Sequence, residues 1–243
     1  MIDLHCHLLP GIDDGPKTLD DSLALCRAAV ENGISHAVVT PHITPGRYDN
    51  TLQSITETFT AFTDELKHAG IALRLGMAAE VRLDPLILDM VKEGNMPFLG
   101  EYNGSPVMLL EFPHSHIPPG SEELVGWLLK EGILPMIAHP ERNKDVMRKL
   151  DKIMPFVKAG CLLQVTAASL AGVFGDEPRK RGVELLKEGL VTILASDAHN
   201  LHGRLPDIEQ GRAVAEKIVG EDESWNLVLY GPREIAARQF REG

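Results

Sequence analysis

Cysteine is scarce in this chain, and the three present, Cys6, Cys26 and Cys161, are far apart with no paired Cys-x-x-Cys spacing. An odd, scattered set argues against both a disulfide framework and a zinc finger, and these residues read as small buried apolar side chains. No apolar run approaches the roughly 18 to 20 residues that cross a bilayer, and no basic stretch with an apolar signal core opens the chain. The expectation is therefore a cytoplasmic protein with no direct membrane insertion. Basic charge is also short: 24 Lys and Arg stand against 35 Asp and Glu, giving a net charge of −11. That balance repels a phosphate backbone, so extended nucleic-acid binding is disfavoured unless the charge is locally reversed.

What is present is a regular alternation. The 243 residues, 44% of them hydrophobic, can bury one large core. Short β-rich runs recur every 25 to 35 residues or so between amphipathic stretches, which predicts βα units and a largely parallel sheet. Seven strands are expected near residues 1–8, 36–43, 73–82, 106–112, 133–139, 161–167 and 191–196. Helical patterns fall around 18–32, 51–69, 85–93, 121–131, 146–159, 179–188 and 206–220, the first with Thr18 as N-cap. Gly33, Gly70, Gly132, Gly160 and Gly189 stand at helix ends. No repeat or low-complexity linker interrupts the series, so one α/β domain over 1–243, a closed or nearly closed β/α barrel, is expected. An open doubly wound sheet is the alternative, but it collects its site at one switch point.

Six of these runs end in metal-type side chains. They are His5 and His7 with Asp13 and Asp14 just beyond, then His42, Glu80, Glu111, His139, and Asp197 with His199. In a β/α barrel the C-terminal strand ends share one mouth, so five histidines and four carboxylates (Asp14, Glu80, Glu111 and Asp197) would converge there. Alternation along a strand puts His5 and His7 on one face and Cys6 on the other, and would likewise pair Asp197 with His199 if the strand stayed extended. Nine donors exceed the needs of one transition metal, which points to two or three ions. Imidazole and carboxylate suit manganese, iron and zinc alike. Arg142 and Arg204 lie close in sequence to these ligands and offer planar forks for phosphate oxygens, the alternative being ion pairs with the acidic ligands. Gln164 and Thr166 end the one strand without a ligand and read as mouth polar groups or as donors behind the ligands. Asp13, Tyr48, Arg47, His114 and His116 have open roles, while His36, His68 and His202 read as surface or packing residues.

At these residues the chain resembles the PHP (polymerase and histidinol phosphatase) superfamily, whose Asp-x-His-x-His opening matches Asp3, His5 and His7. DLHCHLLPGIDDGP, TPHITPGRYDN, HPERN and SDAHN with the following Arg204 look most like the CpsB/CapC-type bacterial metal-dependent protein-tyrosine phosphatases. The resemblance implies a distorted (β/α)7 barrel with three divalent ions, manganese first among them. It assigns His5, His7, Glu80 and Asp197 to one ion, Glu80, Glu111 and His139 to a second, and Asp14, His42 and His199 to a third. Arg142 and Arg204 would bind the substrate phosphate. A hydroxide bridging two ions would attack phosphorus, with no cysteine nucleophile, and the partner would be a phosphotyrosyl protein, a bacterial tyrosine kinase that regulates capsule or exopolysaccharide synthesis. Competing readings are a histidinol-phosphate or other small-molecule phosphatase, a PHP nuclease, and a non-catalytic metal-binding scaffold. The oligomeric state and the packing of the tail GPREIAARQFREG are left open.

Overall fold

The computed structural model describes residues 1–240; the last three residues of the tail, 241–243, lie outside the described residues. Ten strands are present among the described residues: β1 (Ile2–Cys6), β2 (His36–Val39), β3 (His42–Ile43), β4 (Arg74–Met77), β5 (Glu80–Arg82), β6 (Gly100–Tyr102), β7 (Ser105–Glu111), β8 (Leu134–Ala138), β9 (Leu162–Thr166) and β10 (Ile193–Ala195). They form seven wall positions, because β2 runs on into β3, β4 runs on into β5, and β6 lies off the wall, paired only with β7. Pro41, which has no N–H to give a ladder, stands at the first of these breaks. The hydrogen bonds continue past it nonetheless: Ala78 N donates to Val39 O at 2.9 Å and Glu80 N to Pro41 O at 3.1 Å.

The pairing is parallel in chain order. β1 lies beside β2 and β2 beside β4, while β3, β5, β7, β8, β9 and β10 follow one another. The circle closes where Asp197 N donates to His5 O at 2.7 Å and His7 N to Ala198 O at 2.9 Å. This is the expected α/β barrel of seven positions, distorted by the two broken strands.

Helices α1 (Leu19–Glu31), α2 (Leu52–His68), α3 (Leu86–Lys92) and α4 (Ser121–Lys130) follow the first four positions. Thr18 caps α1 by accepting from Asp21 N, and Thr51 and Ser54 form a capping box at α2. The strand residues that face these helices, such as Val39, Leu110, Ile137, Leu163 and Leu194, form one large buried cluster with them. A second cluster, including Leu4, Val38, Val107, Leu109, Met136 and Ile193, packs with Ile235 and Ala236 of the C-terminal segment. The alternation of the two sets along β7 and β8 places the second inside the barrel.

Several expectations need correction. The helix predicted over 146–159 is three pieces: α5 (Lys144–Arg148), a 3-10 turn (Leu150–Lys152) and α6 (Met154–Ala159). Lys149, at φ −146 and ψ 116, breaks it, and Pro155 restarts it in a first turn, where no N–H is needed. The last predicted helix begins at Glu209 and not at 206, running as α9 (Glu209–Val219) after α7 (Ala167–Leu170) and α8 (Asp176–Lys187). Beyond it lie α10 (Glu221–Trp225), a π-helical turn (Asn226–Tyr230) and α11 (Gly231–Ile235), so the described part of the tail packs on the barrel. The antiparallel β6–β7 hairpin was not anticipated. Its turn is Asn103-Gly104, both with positive φ, as a type I′ turn demands. No helix among the described residues is long and apolar enough to cross a membrane.

Candidate metal centre

The barrel wall delivers the donors by register. His42 and Glu80 are partners across β3 and β5, which sets His42 Nδ1 3.0 Å from Glu80 Oε2. Arg82 faces Glu111 across β5 and β7, and its Nε lies 3.1 Å from Glu111 Oε2. In β1 a bulge between Asp3 and Cys6 inserts one residue, so His5 reaches the interior although its neighbour Leu4 also packs there. Cys6, as expected, packs with the outer cluster.

All nine expected donors come together. His5 Nε2 is 3.3 Å from both Glu80 Oε2 and Asp197 Oδ1, and His7 Nε2 is 3.4 Å from the same Glu80 oxygen. His139 Nε2 sits 2.8 Å from Glu80 Oε1, so Glu80 stands at the centre with histidines on both oxygens. Asp14 Oδ1 lies between His42 Nε2 at 3.2 Å and His199 Nε2 at 3.4 Å.

Four sets have donor atoms within 4.8 Å of one another: His7, Asp14, His42 and His199; His5, His7 and Glu80; His5, His139 and Asp197; and His42, Glu80 and Glu111. The Asp14, His42 and His199 set expected from the resemblance is thus present with His7 added. His139 groups with His5 and Asp197, whereas Glu111 groups with Glu80 and His42. The pairing of Asp197 with His199 does not come from strand alternation, because β10 ends at Ala195 and Asp197 turns left-handed at φ 52. His139, at φ 33, is also left-handed. Such backbone costs about 1 to 3 kcal/mol and persists where surrounding contacts over-determine it.

A test of metal fit is whether the lone pairs facing inward have any other use. Asp14 Oδ1, His42 Nδ1, Glu80 Oε2, Glu111 Oε2, Asp197 Oδ1 and His199 Nε2 are all buried without a hydrogen-bond partner. Some of these atoms face one another, as His42 Nδ1 and Glu80 Oε2 do at 3.0 Å, yet none makes a well-formed hydrogen bond, which would be costly in a merely structural cluster. Oxygen and imidazole donors clustered in this way fit divalent ions.

The outer atoms of the ring are held. His7 Nδ1 lies 2.6 Å from Asp13 Oδ2, which also accepts from His42 N at 3.1 Å, while Asp13 Oδ1 accepts from Gly15 N. Asp13 therefore stands behind the ligands. Gln164 Oε1 lies 2.8 Å from His5 Nδ1 and accepts from His139 N at 3.1 Å. Asp3 accepts from His5 N and from Ser196 N and Oγ. Glu141, not singled out in the sequence, is buried and accepts from Thr166 N and Ser169 Oγ.

Electrostatics follow from this packing. Burial disfavours the charged form of His5, but Glu80 and Asp197 outweigh it and raise its pKa to about 9. Burial and Arg142 drive His139 down to about 3, and burial and His7 drive His199 down to about 4. Both therefore present neutral imidazoles, the form that binds metal. Glu111 is pushed up to about 7 by burial and Glu80, against the pull of Arg82.

Arg142 Nη1 and Arg204 Nη2 both donate to Asp197 Oδ2. Arg142 also stacks on Phe174, with 4.6 Å from its Cζ to the ring centroid. A cavity of about 80 Å³ opens on the ring, bordered by Arg47, Tyr48, Arg82, His114 and Arg204 among others. Arg82 is the residue that sequence reasoning missed, since its place depends on the β5–β7 register. His116 is exposed, its ring on Ser115 Oγ, and is not among the residues that line the cavity.

Comparison with known proteins shows the family. The family model described as capsular polysaccharide synthesis, CpsB/CapC, matches residues 1–237. Tyrosine-protein phosphatase YwqE of Bacillus subtilis (strain 168) is 34% identical over 228 residues, 93% of this chain and 88% of its own. Tyrosine-protein phosphatase CpsB of Streptococcus pneumoniae is 29% identical over 249 residues, 99% of this chain and 100% of its own. A structure described as YwqE and CpsB, "unique metal-dependent tyrosine phosphatases", superposes with a TM-score of 0.90 at 31% identity, covering 98% of this chain and 95% of that one. An amidohydrolase from Mycoplasma synoviae shares the fold alone, at a TM-score of 0.58 and 12% identity over 100% of this chain and 88% of its own. With the opening motif, the barrel and a match over nearly its whole length, the chain belongs to the CpsB/CapC family.

Proposed function

We propose that residues 1–243 form one metal-dependent protein-tyrosine phosphatase that removes phosphate from a phosphotyrosyl protein. The observation that carries this is the ring of nine donors, eight of them buried and Asp14 partly exposed, with orphaned inward atoms beside two arginines and a small cavity. The names of the relatives support the substrate. From the resemblance of its motifs we further propose a bacterial tyrosine kinase that controls capsule or exopolysaccharide synthesis as the physiological partner, and the cytoplasm as the place of action.

His5, His7, Asp14, His42, Glu80, Glu111, His139, Asp197 and His199 would hold three divalent ions, manganese in preference to iron or zinc. When bound, the ions would activate water as the nucleophile and neutralise charge on the phosphoryl group. The remaining work falls to the protein. Arg204 borders the cavity and its buried Nε has no partner, which leaves a donor for a phosphate oxygen. Arg142 is held between Asp197 and Phe174, so its fork is oriented before substrate arrives. Tyrosine leaves as a phenol of pKa about 10, and needs little proton assistance. The four inward carboxylates are more than balanced by three divalent ions, so the site attracts a dianion within an acidic protein.

The test is hydrolysis of a phosphotyrosyl peptide, histidinol phosphate and a phosphodiester by manganese-loaded protein, each beside a chelated control. Preference for the peptide supports the proposal. Preference for either other substrate overturns it, and bound metal without turnover indicates a scaffold.

A further inference from the structure

Two ring-on-ring stacks stand at the cavity, and the outer ring of each is not one of the nine donors. Tyr48 lies nearly parallel to His42, with 5.5 Å between centroids and 8° between planes. His114 stacks on His139 at 5.3 Å and 28°. The inner rings flank one carboxylate, His42 on Glu80 Oε2 and His139 on Glu80 Oε1. The outer rings border the same cavity. Tyr48 is half-buried and pinned by paired backbone bonds with Thr44, and the His114 side chain is 48% exposed.

The chain has few aromatic residues, seven Phe, three Tyr and two Trp, so a tyrosine at this place is not a by-product of composition. The cavity volume of about 80 Å³ is also informative. At about 30 Å³ per water, it holds some three waters. That is the scale of a phosphoryl head, so a phenyl ring attached to it would extend toward the rim.

We infer that Tyr48 and His114 form a slot that grips the phenyl ring of the substrate and sets the preference for aryl over alkyl phosphates. Planar groups attract a phenyl ring in offset or edge-on geometry at centroid distances of about 4.5 to 7 Å. Neither residue is one of the nine donors, although both pack on the ring and His114 Nδ1 lies 3.8 Å from Glu111 Oε1; their assigned role is to bind the leaving group. The inference rests on the phosphotyrosine reading for the source of the ring, but its test does not depend on turnover.

The experiment is calorimetric binding of phenylphosphonate and methylphosphonate, two non-hydrolysable mimics, to manganese-loaded protein. Tyr48→Ala and His114→Ala should each weaken phenylphosphonate about three- to tenfold and leave methylphosphonate within about twofold. Tyr48→Phe, which keeps the ring, should retain the wild-type ratio. Equal loss for both ligands, or no loss for either, overturns the slot. If Tyr48→Ala does not fold, His114→Ala carries the test, since its side chain is on the surface. Wild-type preference for histidinol phosphate over the peptide would refute the proposed function while leaving the phosphonate ratio to report on the slot.

Discussion

Asp13 is the residue whose role changed most between sequence and structure, and Asp13→Asn isolates it. Its Oδ2 lies 2.6 Å from His7 Nδ1 and also accepts from His42 N. A carboxylate there keeps the proton of neutral His7 on Nδ1 and leaves Nε2 free toward the ring. An asparagine amide can meet His7 with its NH2, which forces the other tautomer and removes the Nε2 lone pair. Despite burial, His7 and the Gly15 backbone hold the Asp13 carboxyl at about 2, below its ordinary value of 3.8. That difference corresponds to about 2 kcal/mol of folding stability. Because the folded pKa is depressed, the contribution is present above pH ~4 and fades as pH falls toward 2. Chelated Asp13→Asn should therefore unfold about 2 kcal/mol more easily than chelated wild type at pH 7, with the gap narrowing below pH ~4. Its manganese affinity should fall about 10- to 100-fold. Urea unfolding across pH and a manganese titration measure the two effects. Metal affinity within about twofold of wild type would refute the tautomer argument.

Glu80→Ala should abolish hydrolysis and lower the bound metal measured by elemental analysis; full activity would show that Glu80 is not shared between ions. Gly100→Ala should lower the Tm by about 10 °C, because a Cβ there would stand 1.9 Å from Ile235 O; a thermal melt within about 2 °C of wild type would remove this close approach from the account. Saturating manganese at about 100 times its Kd should add about 2.7 kcal/mol of stability over the chelated protein, and identical urea midpoints for the two forms would mean that the ring does not bind the ion in the folded state.

Most of the barrel was legible because its signals are local. Runs such as HAVV and VTILA are β-branched, apolar and bounded by glycine or polar turns, so all seven wall positions could be read. The nine donors were legible for the same reason, each closing a run. The β6–β7 hairpin was also legible and was missed: Asn103-Gly104 is among the strongest short-range hairpin signals. The break at Lys149 could not be read, since nothing in its side chain forbids a helix and its extended backbone follows from tertiary packing. Nor could the supporting contacts. Arg82 meets Glu111 only through register, and Asp3 bonds Ser196 across most of the chain.

The last point bears on how the site is assembled. His5 and His7 lie at one end of the sequence, and Asp197 and His199 near the other. They meet at the seam where the first and last strands close the barrel, through Asp197 N to His5 O and His7 N to Ala198 O. Asp3 reinforces that seam by accepting from His5 N on one side and Ser196 N on the other. Barrel closure thus brings the donors of the first and last strands together, while His42, Glu80 and Glu111 meet through neighbouring strands. Long-range closure carries the largest loop entropy in the fold, and gathering like-charged carboxylates in a buried ring opposes it further. The hydrogen bonds along the seam offset part of that cost, and any ion that binds the finished ring and not the open chain offsets more by mass action. The left-handed backbone at Asp197, held beside the seam by Arg142 and Arg204, fits the same account: strain is tolerated where closure and ligand geometry are set by the same few contacts.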